Sequence, residues 1–189
     1  VRPLRIAYMG PPSSFTHQAA IKHFGQSCEY LAKDSIADVF RAVAKSDVSY
    51  GVAPVENSNE GMVTHTLDMF IDADVQICAE VLLDIHHHLL SRCTLDKIRT
   101  VYSHPMGFAQ CRRWLAANLP RARLADVYST AYAAECAARQ PHSAAVAGEL
   151  AAQMFQLNML ARCIEDYTRN VTRFLVIGKQ KSPPTGNDK

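Results

Sequence analysis

Apolar residues recur along the chain in short runs separated by polar turns, and the spacing inside each run predicts an element. In DSIADVFRAV, Ile36, Val39, Phe40 and Val43 fall at i, i+3, i+4 and i+7, one stripe of a helix, and Ser35 with Asp38 fits a capping box at its start. Residues 5–8 read as a strand, GPPSS as a turn and 15–24 as a helix, so a strand–helix unit opens the chain. YGVAPV reads as a short strand, ENSNEG as a polar turn, and MVTHTLDMF as a helix with Val63, Leu67 and Phe70 on one face. The run VQICAEVLLDIHHHLL is too long for one strand of about five or six residues and is expected to cross between two lobes. After it, TVYS, RLADVY and SAAVA read as strands, HPMG as a turn, and FAQCRRWLAANL, TAYAAECAAR and GELAAQMF as helices. TRFLVIGK adds a last strand, and QKSPPTGNDK reads as a linker or frayed end. The alternation implies an α/β fold with a mostly parallel sheet flanked by helices.

The 189 residues, 48% hydrophobic and 20% charged, suffice for one domain or two small lobes. Twenty basic and 18 acidic residues leave a formal charge of +2 with no basic stripe, so small molecules are expected as partners, not nucleic acid or a membrane surface. No segment approaches the roughly 18 uninterrupted apolar residues of a membrane helix. VRPLRIAYMG lacks a signal-peptide core and cleavage site, and the expected location is the cytoplasm.

Cys28, Cys78, Cys93, Cys111, Cys136 and Cys163 form no C-x-x-C pair and are expected to be buried thiols. In a strand, His86 and His88 would share a face opposite His87; with no cysteine or carboxylate cluster nearby, no metal site is expected. GPPSS lacks the glycine pattern of a phosphate loop, so no nucleotide cofactor is expected, and no G-x-S-x-G elbow is present.

In open parallel α/β sheets, ligands bind beyond the carboxyl ends of the strands, where helix N-termini present free N–H groups. Five turns there are rich in hydroxyls and amides: Ser13–Ser14, Glu56–Asn57–Ser58, Ser103–His104, Ser129–Thr130, and Asn170 with Thr172–Arg173. Together they suit a carboxylate or phosphate, although each Ser or Thr alone serves equally well as a helix N-cap, the expected role of Ser35. The Arg173 guanidinium beside an apolar strand needs solvent or an anion, and it matches carboxylates bidentately. Glu56 directly follows a strand, where burial would suit a carboxyl to acid catalysis.

The segments IAYMGPPSSFTHQAA, VAPVENSNEGMVTHTLD, VYSHPMGFAQCRRWL, STAYAAECAA and NVTRFLVIG, in this order across residues 6–177, resemble the prephenate dehydratase family. The resemblance implies an enzyme of phenylalanine biosynthesis that converts prephenate to phenylpyruvate with loss of carbon dioxide and water, and needs no cofactor. It also implies two α/β/α lobes like those of type II periplasmic binding proteins, with the active site in the cleft between them. Lobe 1 is expected at 1–79 plus 174–180 and lobe 2 at 80–173. Residues 181–189 are expected to be a linker toward an ACT regulatory domain in a longer chain, one form of which also carries chorismate mutase. Family members generally form dimers or tetramers.

By the same resemblance, Thr172, Arg173 and Phe174 carry the family's Thr-Arg-Phe motif, with Thr172 the catalytic threonine. Glu56, Asn57 and Ser58 match its P-[VI]-E-N segment, Ser103 and Gln110 its SHP…Q segment, and Ser129 and Thr130 its ST-A helix start. Ser13–Ser14 stands where the family usually has Gly-Thr: Ser14 keeps the hydroxyl, but Ser13 does not take a positive φ as readily as Gly. Met106 replaces a frequent Gln and Thr64 a frequent Asn. Thr172 is expected to hydrogen-bond the leaving hydroxyl, Glu56 is a candidate acid, and Arg173 would clamp a carboxylate. Asn57, Ser58, Ser103, Gln110, Ser14 and the Ser129–Thr130 helix start complete the expected binding set, and Phe174 packs either on the substrate ring or in the core. Alternatives are an arogenate dehydratase, a non-catalytic small-anion binding module, and the effector domain of a regulator.

Overall fold

Residues 3–179 are described by the computed structural model. In chain order they form β1 (Arg5–Met9), α1 (Phe15–Phe24), β2 (Glu29–Lys33), α2 (Ile36–Ala44), β3 (Tyr50–Asn57), β4 (Gly61–Met62), α3 (Thr64–Asp72) and β5 (Gln76–Asp84). There follow β6 (His88–Ser91), β7 (Thr100–Ser103), α4 (Pro105–Gln110), α5 (Arg112–Asn118), β8 (Arg123–Asp126), α6 (Thr130–Arg139), β9 (Ser143–Ala147), α7 (Glu149–Phe155), β10 (Asn158–Ala161) and β11 (Val171–Gly178). Among the described residues no helix is long and apolar enough to cross a membrane.

The strands make two sheets, ordered β2-β1-β3-β11-β5 with β4 on β3, and β10-β6-β9-β7-β8. Each keeps three parallel strands, β2-β1-β3 and β9-β7-β8, but β11 runs antiparallel to β3, and β6 antiparallel to both β9 and β10. The sheets are therefore mixed, not mostly parallel. β6 and β11 are the strands at which the chain enters each sheet from the other, from β5 and from β10.

Thr16–Leu83, with the described residues up to Gly10 and from Val171 on, forms one compact unit; Pro11–Phe15 and Asp84–Asn170 form the other. The chain changes over after Leu83 and Asn170, where the sequence reading had placed 79/80 and 173/174. Val171–Arg173 stay with the first unit because Thr172 and Arg173 already pair with β3. The expected linker at 181–189 lies outside the described residues.

The α2 stripe buries Ile36, Val39, Phe40 and Val43 as its spacing predicts, and Ser35 Oγ accepts the Asp38 N–H at 3.1 Å. This helix closes on the sheet at Gly51, where a Cβ would lie 2.7 Å from Val39 Cγ1. The second unit builds one core from Leu89, Val101, Phe108, Leu115 and Val146. Another, against α6 and α7, is mostly alanine, whose small side chains let those helices approach the sheet closely.

Three local expectations change, while VQICAEVLLDIHHHLL crosses as expected, as two strands, β5 and β6, in different sheets. HPMG is the start of α4, with His104 as N-cap and Pro105 in its first turn, and the expected helix at 108–119 breaks at Cys111. On α3 the buried residue is Thr66, whose Oγ1 donates to Pro54 O at 2.6 Å, while Leu67 is exposed. Val63 precedes that helix in a non-helical conformation (φ −88°, ψ 83°), yet Val63 and Phe70 are partly buried against the core as expected, and only Leu67 departs. All six cysteines are free, but only Cys111 is fully buried and Cys163 is exposed.

Burial holds His17, His87 and His88 below the ordinary histidine value of 6.5. A lowered folded-state value means that the unfolded chain takes up these protons first. The stability from keeping the rings neutral is thus fully present above 6.5 and is lost as pH falls from there toward the lowered values. The urea midpoint of this chain is expected to fall steadily from about pH 6.5 to about pH 5. A midpoint that holds level over that range would contradict neutral burial of the three rings.

Candidate functional site

In the first unit, antiparallel pairing of β3 with β11 sets Asn57 opposite Thr172 and Glu56 opposite Arg173, with a register shift immediately after Arg173. Two stretches 115 residues apart thereby become neighbours. Asn57 Oδ1 accepts the N–H groups of Asn59 at 2.8 Å and Glu60 at 3.1 Å, which fixes the amide so that Nδ2 donates to Thr172 Oγ1 at 2.8 Å. Thr172, 9% exposed, accepts through its oxygen there and can direct its own hydroxyl proton to another acceptor. Ser58 ties the strand entrance twice: its N–H donates to Val171 O at 2.9 Å and its Oγ accepts the Val171 N–H at 3.0 Å.

The Arg173 guanidinium meets Glu56 Oε2 through Nη2 at 2.7 Å and Glu80 Oε1 through Nη1 at 3.2 Å. Its Nε is buried and has no hydrogen-bond acceptor among the described residues. Glu56 therefore sits differently from the sequence expectation: its side chain is 42% exposed and ion-paired, not buried for acid catalysis. Glu80 was missed, although it is the one charge within the apolar run 75–83. Phe174 is 1% exposed and belongs to the core.

In the second unit, Ser103 at the end of β7 is fully buried and donates through Oγ to Val146 O at 3.0 Å. The start of α4 lies against it, since a Cβ on Gly107 would fall 2.4 Å from Ser103 Oγ. Ser129 is the N-cap of α6, accepting the Tyr132 N–H at 3.0 Å, and Thr130 is that helix's first residue. Ser14 is half-buried, its N–H donating to Pro11 O at 3.2 Å. Ser13 does adopt the left-handed conformation that glycine favours, at φ 68°, so the turn persists without the glycine.

Gln110 Oε1 accepts from Asn170 Nδ2 at 3.0 Å and meets His87 Nε2 at 2.7 Å. The ring proton of His87 therefore sits on Nε2, and its Nδ1 is buried with no partner among the described residues. Glu165 takes the other side of the histidine run: Oε1 faces His86 Nδ1 at 2.7 Å, and Oε2 accepts the His87 N–H at 3.0 Å. Burial opposes its charge, but the bonds from His86 and the His87 N–H outweigh that and hold it below the ordinary carboxylate value. Neither His87 nor Glu165 stood out in the sequence as a site residue.

The chain matches the family model described as prephenate dehydratase over residues 6–182. It is 50% identical over 190 residues to the bifunctional chorismate mutase/prephenate dehydratase of Stutzerimonas stutzeri, an alignment covering 100% of this chain and 52% of that protein. Among solved structures, the prephenate dehydratase of Arthrobacter aurescens in complex with L-Phe superposes with a TM-score of 0.86 at 28% identity, over 96% of this chain and 61% of that one. GqqA, described as a novel type of quorum quenching acylase, gives 0.84 at 27% identity, over 95% and 66%. The chain spans about half the length of the bifunctional relatives it matches. With the family's Thr-Arg-Phe and Glu-Asn stretches paired across β3 and β11, and the match running nearly end to end, the chain belongs to the prephenate dehydratase family.

Proposed function

We propose that this chain performs the reaction its family is named for, converting prephenate to phenylpyruvate in L-phenylalanine biosynthesis. The observation that carries the reading is the fixed Asn57 amide donating to Thr172 Oγ1, which leaves the threonine proton for a leaving group. In the reaction, the electron pair of the ring carbon–carboxylate bond moves into the ring as carbon dioxide departs. The ring then expels its hydroxyl with the carbon–oxygen electron pair and becomes aromatic. An alkyl hydroxyl is too weak an acid to protonate that oxygen outright, so Thr172 stabilises the developing hydroxide by hydrogen bonding, and the proton that completes water comes from solvent.

The ion pair and exposure of Glu56 favour Thr172 acting without a separate acid, with Glu56 instead holding Arg173. Arg173 offers its buried Nε–H to a substrate carboxylate. Asn57 and Ser58 fix the strand entrance. In the second unit, the N-terminus of α6 with Ser129 and Thr130, and the hydroxyl of Ser14, have the donor chemistry for a carboxylate, while Ser103 and Gln110 act through the groups they bond. Phenylalanine regulation, homo-oligomeric assembly and cytoplasmic location are proposed for the whole protein.

Absorbance of phenylpyruvate formed from prephenate by this chain, run beside an assay of the phenylalanine that the same loss of carbon dioxide and water would form from arogenate, tests the reading. Turnover of prephenate is expected. Turnover of arogenate alone would replace the substrate, and prephenate binding without turnover would leave an anion-binding module.

A further inference from the structure

His86 lies in the connection between β5 and β6, and the chain brings Glu165 to its ring from 79 residues away. Cys163 joins them: ligand atoms of His86, Cys163 and Glu165 all lie within 4.8 Å of one another. This overturns the expectation that the histidine run has no cysteine or carboxylate for company. Both arrive with the segment that follows β10, which pairs antiparallel with β6, so no spacing motif along the chain reveals them.

Two of the three groups are oriented by other bonds. The Glu165 side chain is 3% exposed, and the His87 N–H on Oε2 keeps Oε1 toward His86. Cys163 takes the left-handed conformation at φ 50°, and its N–H donates to His88 Nδ1 at 3.0 Å. Outside glycine that conformation is sterically unfavourable. Held this way, Sγ joins the His86 ring and the Glu165 carboxylate. Cys163 is exposed and His86 half-exposed, so solvent reaches the cluster. Arg162, the adjacent cation, is drawn toward Glu149 at 3.6 Å.

An imidazole nitrogen, a thiolate and a carboxylate form a donor set that suits a zinc-class divalent ion, with three protein ligands and a fourth position open to water. A thiolate and a carboxylate also neutralise a divalent charge. We propose that His86, Cys163 and Glu165 bind such an ion, tying the segment after β10 to the β5–β6 connection within the second unit. The ion would take the place of the hydrogen bond that His86 and Glu165 now share; binding would release the Cys163 thiol proton to solvent, and the proton now on His86 Nδ1 would leave that nitrogen by exchange with water, the neutral ring keeping its one proton on Nε2.

The test is a Co2+ titration of the whole chain after chelator treatment, read by thiolate-to-cobalt charge-transfer absorption and the visible bands of tetrahedral cobalt. One equivalent is expected to saturate the signal and Zn2+ to displace it. Cys163→Ser should abolish the charge-transfer band. His86→Asn should weaken Co2+ binding by at least about tenfold, the low end of what loss of even an outer hydrogen-bond partner costs. Both substitutions fall at solvent-accessible side chains, and far-ultraviolet circular dichroism checks that the metal-free variants fold. No band in the unsubstituted chain would overturn the proposal. So would a band that survives Cys163→Ser, which would belong to another of the six cysteines, or unchanged affinity in His86→Asn.

Discussion

Thr172→Val is expected to lower kcat for prephenate by about a hundredfold to a thousandfold, the range for removing one donor aimed at developing negative charge, with KM nearly unchanged. Valine keeps the β-branched shape in a position that is 9% exposed, so the change removes the hydroxyl and little else. Thr172→Ser keeps the donor and should retain most of the rate. A sharper companion is Asn57→Asp. Aspartate preserves the acceptor that holds the Asn59 and Glu60 N–H groups, but it cannot donate to Thr172 Oγ1. The threonine proton would turn onto the new carboxylate and away from the leaving oxygen. Asn57→Asp should therefore approach the Thr172→Val rate although Thr172 is intact. Full activity in Asn57→Asp, or equal losses in Thr172→Ser and Thr172→Val, would refute the hydroxyl's role as an aimed donor.

The sequence carried the chemistry of this arrangement more clearly than its geometry. The α2 stripe and its Ser35 cap are legible because periodicity and cap chemistry agree within ten residues. The meeting of Asn57 with Thr172 is not, because apolar spacing says that two segments are strands but not that they pair across 115 positions. β2 and β10 escaped notice for a different reason: both are edge strands of partly exposed residues, without the alternation that a half-buried strand shows. At His104–Pro105 the same residues favour a turn and a helix start equally, so only the fold decides. Glu80 and Glu165 were missed because an acidic residue becomes meaningful only when its partner is seen, Arg173 in one case and His86 in the other.

Arg173→Ala is expected to raise KM for prephenate by about tenfold to a hundredfold, the equivalent of one hydrogen bond to a charged group at about 1.5–3 kcal/mol, with a smaller effect on kcat. The competing role is structural. Arg173 lies on β11 between β3 and β5 and reaches a carboxylate on each, so it could serve only to hold three strands together. These pairs are between about a third and a half exposed, where ion pairs add about 0–1 kcal/mol, so a purely structural arginine would show a small loss of stability and no change in KM. Glu80→Gln separates the two roles. It keeps the size of the side chain and removes one carboxylate that competes with a dianionic substrate for the guanidinium. If Arg173 captures substrate, Glu80→Gln should lower KM or leave it level while Arg173→Ala raises it. If Arg173 is only a tie, both variants should melt slightly earlier and share the unsubstituted KM. Arg173→Lys should recover little, because lysine lacks the Nε–H and the planar fork that could hold Glu56, Glu80 and a substrate carboxylate at once.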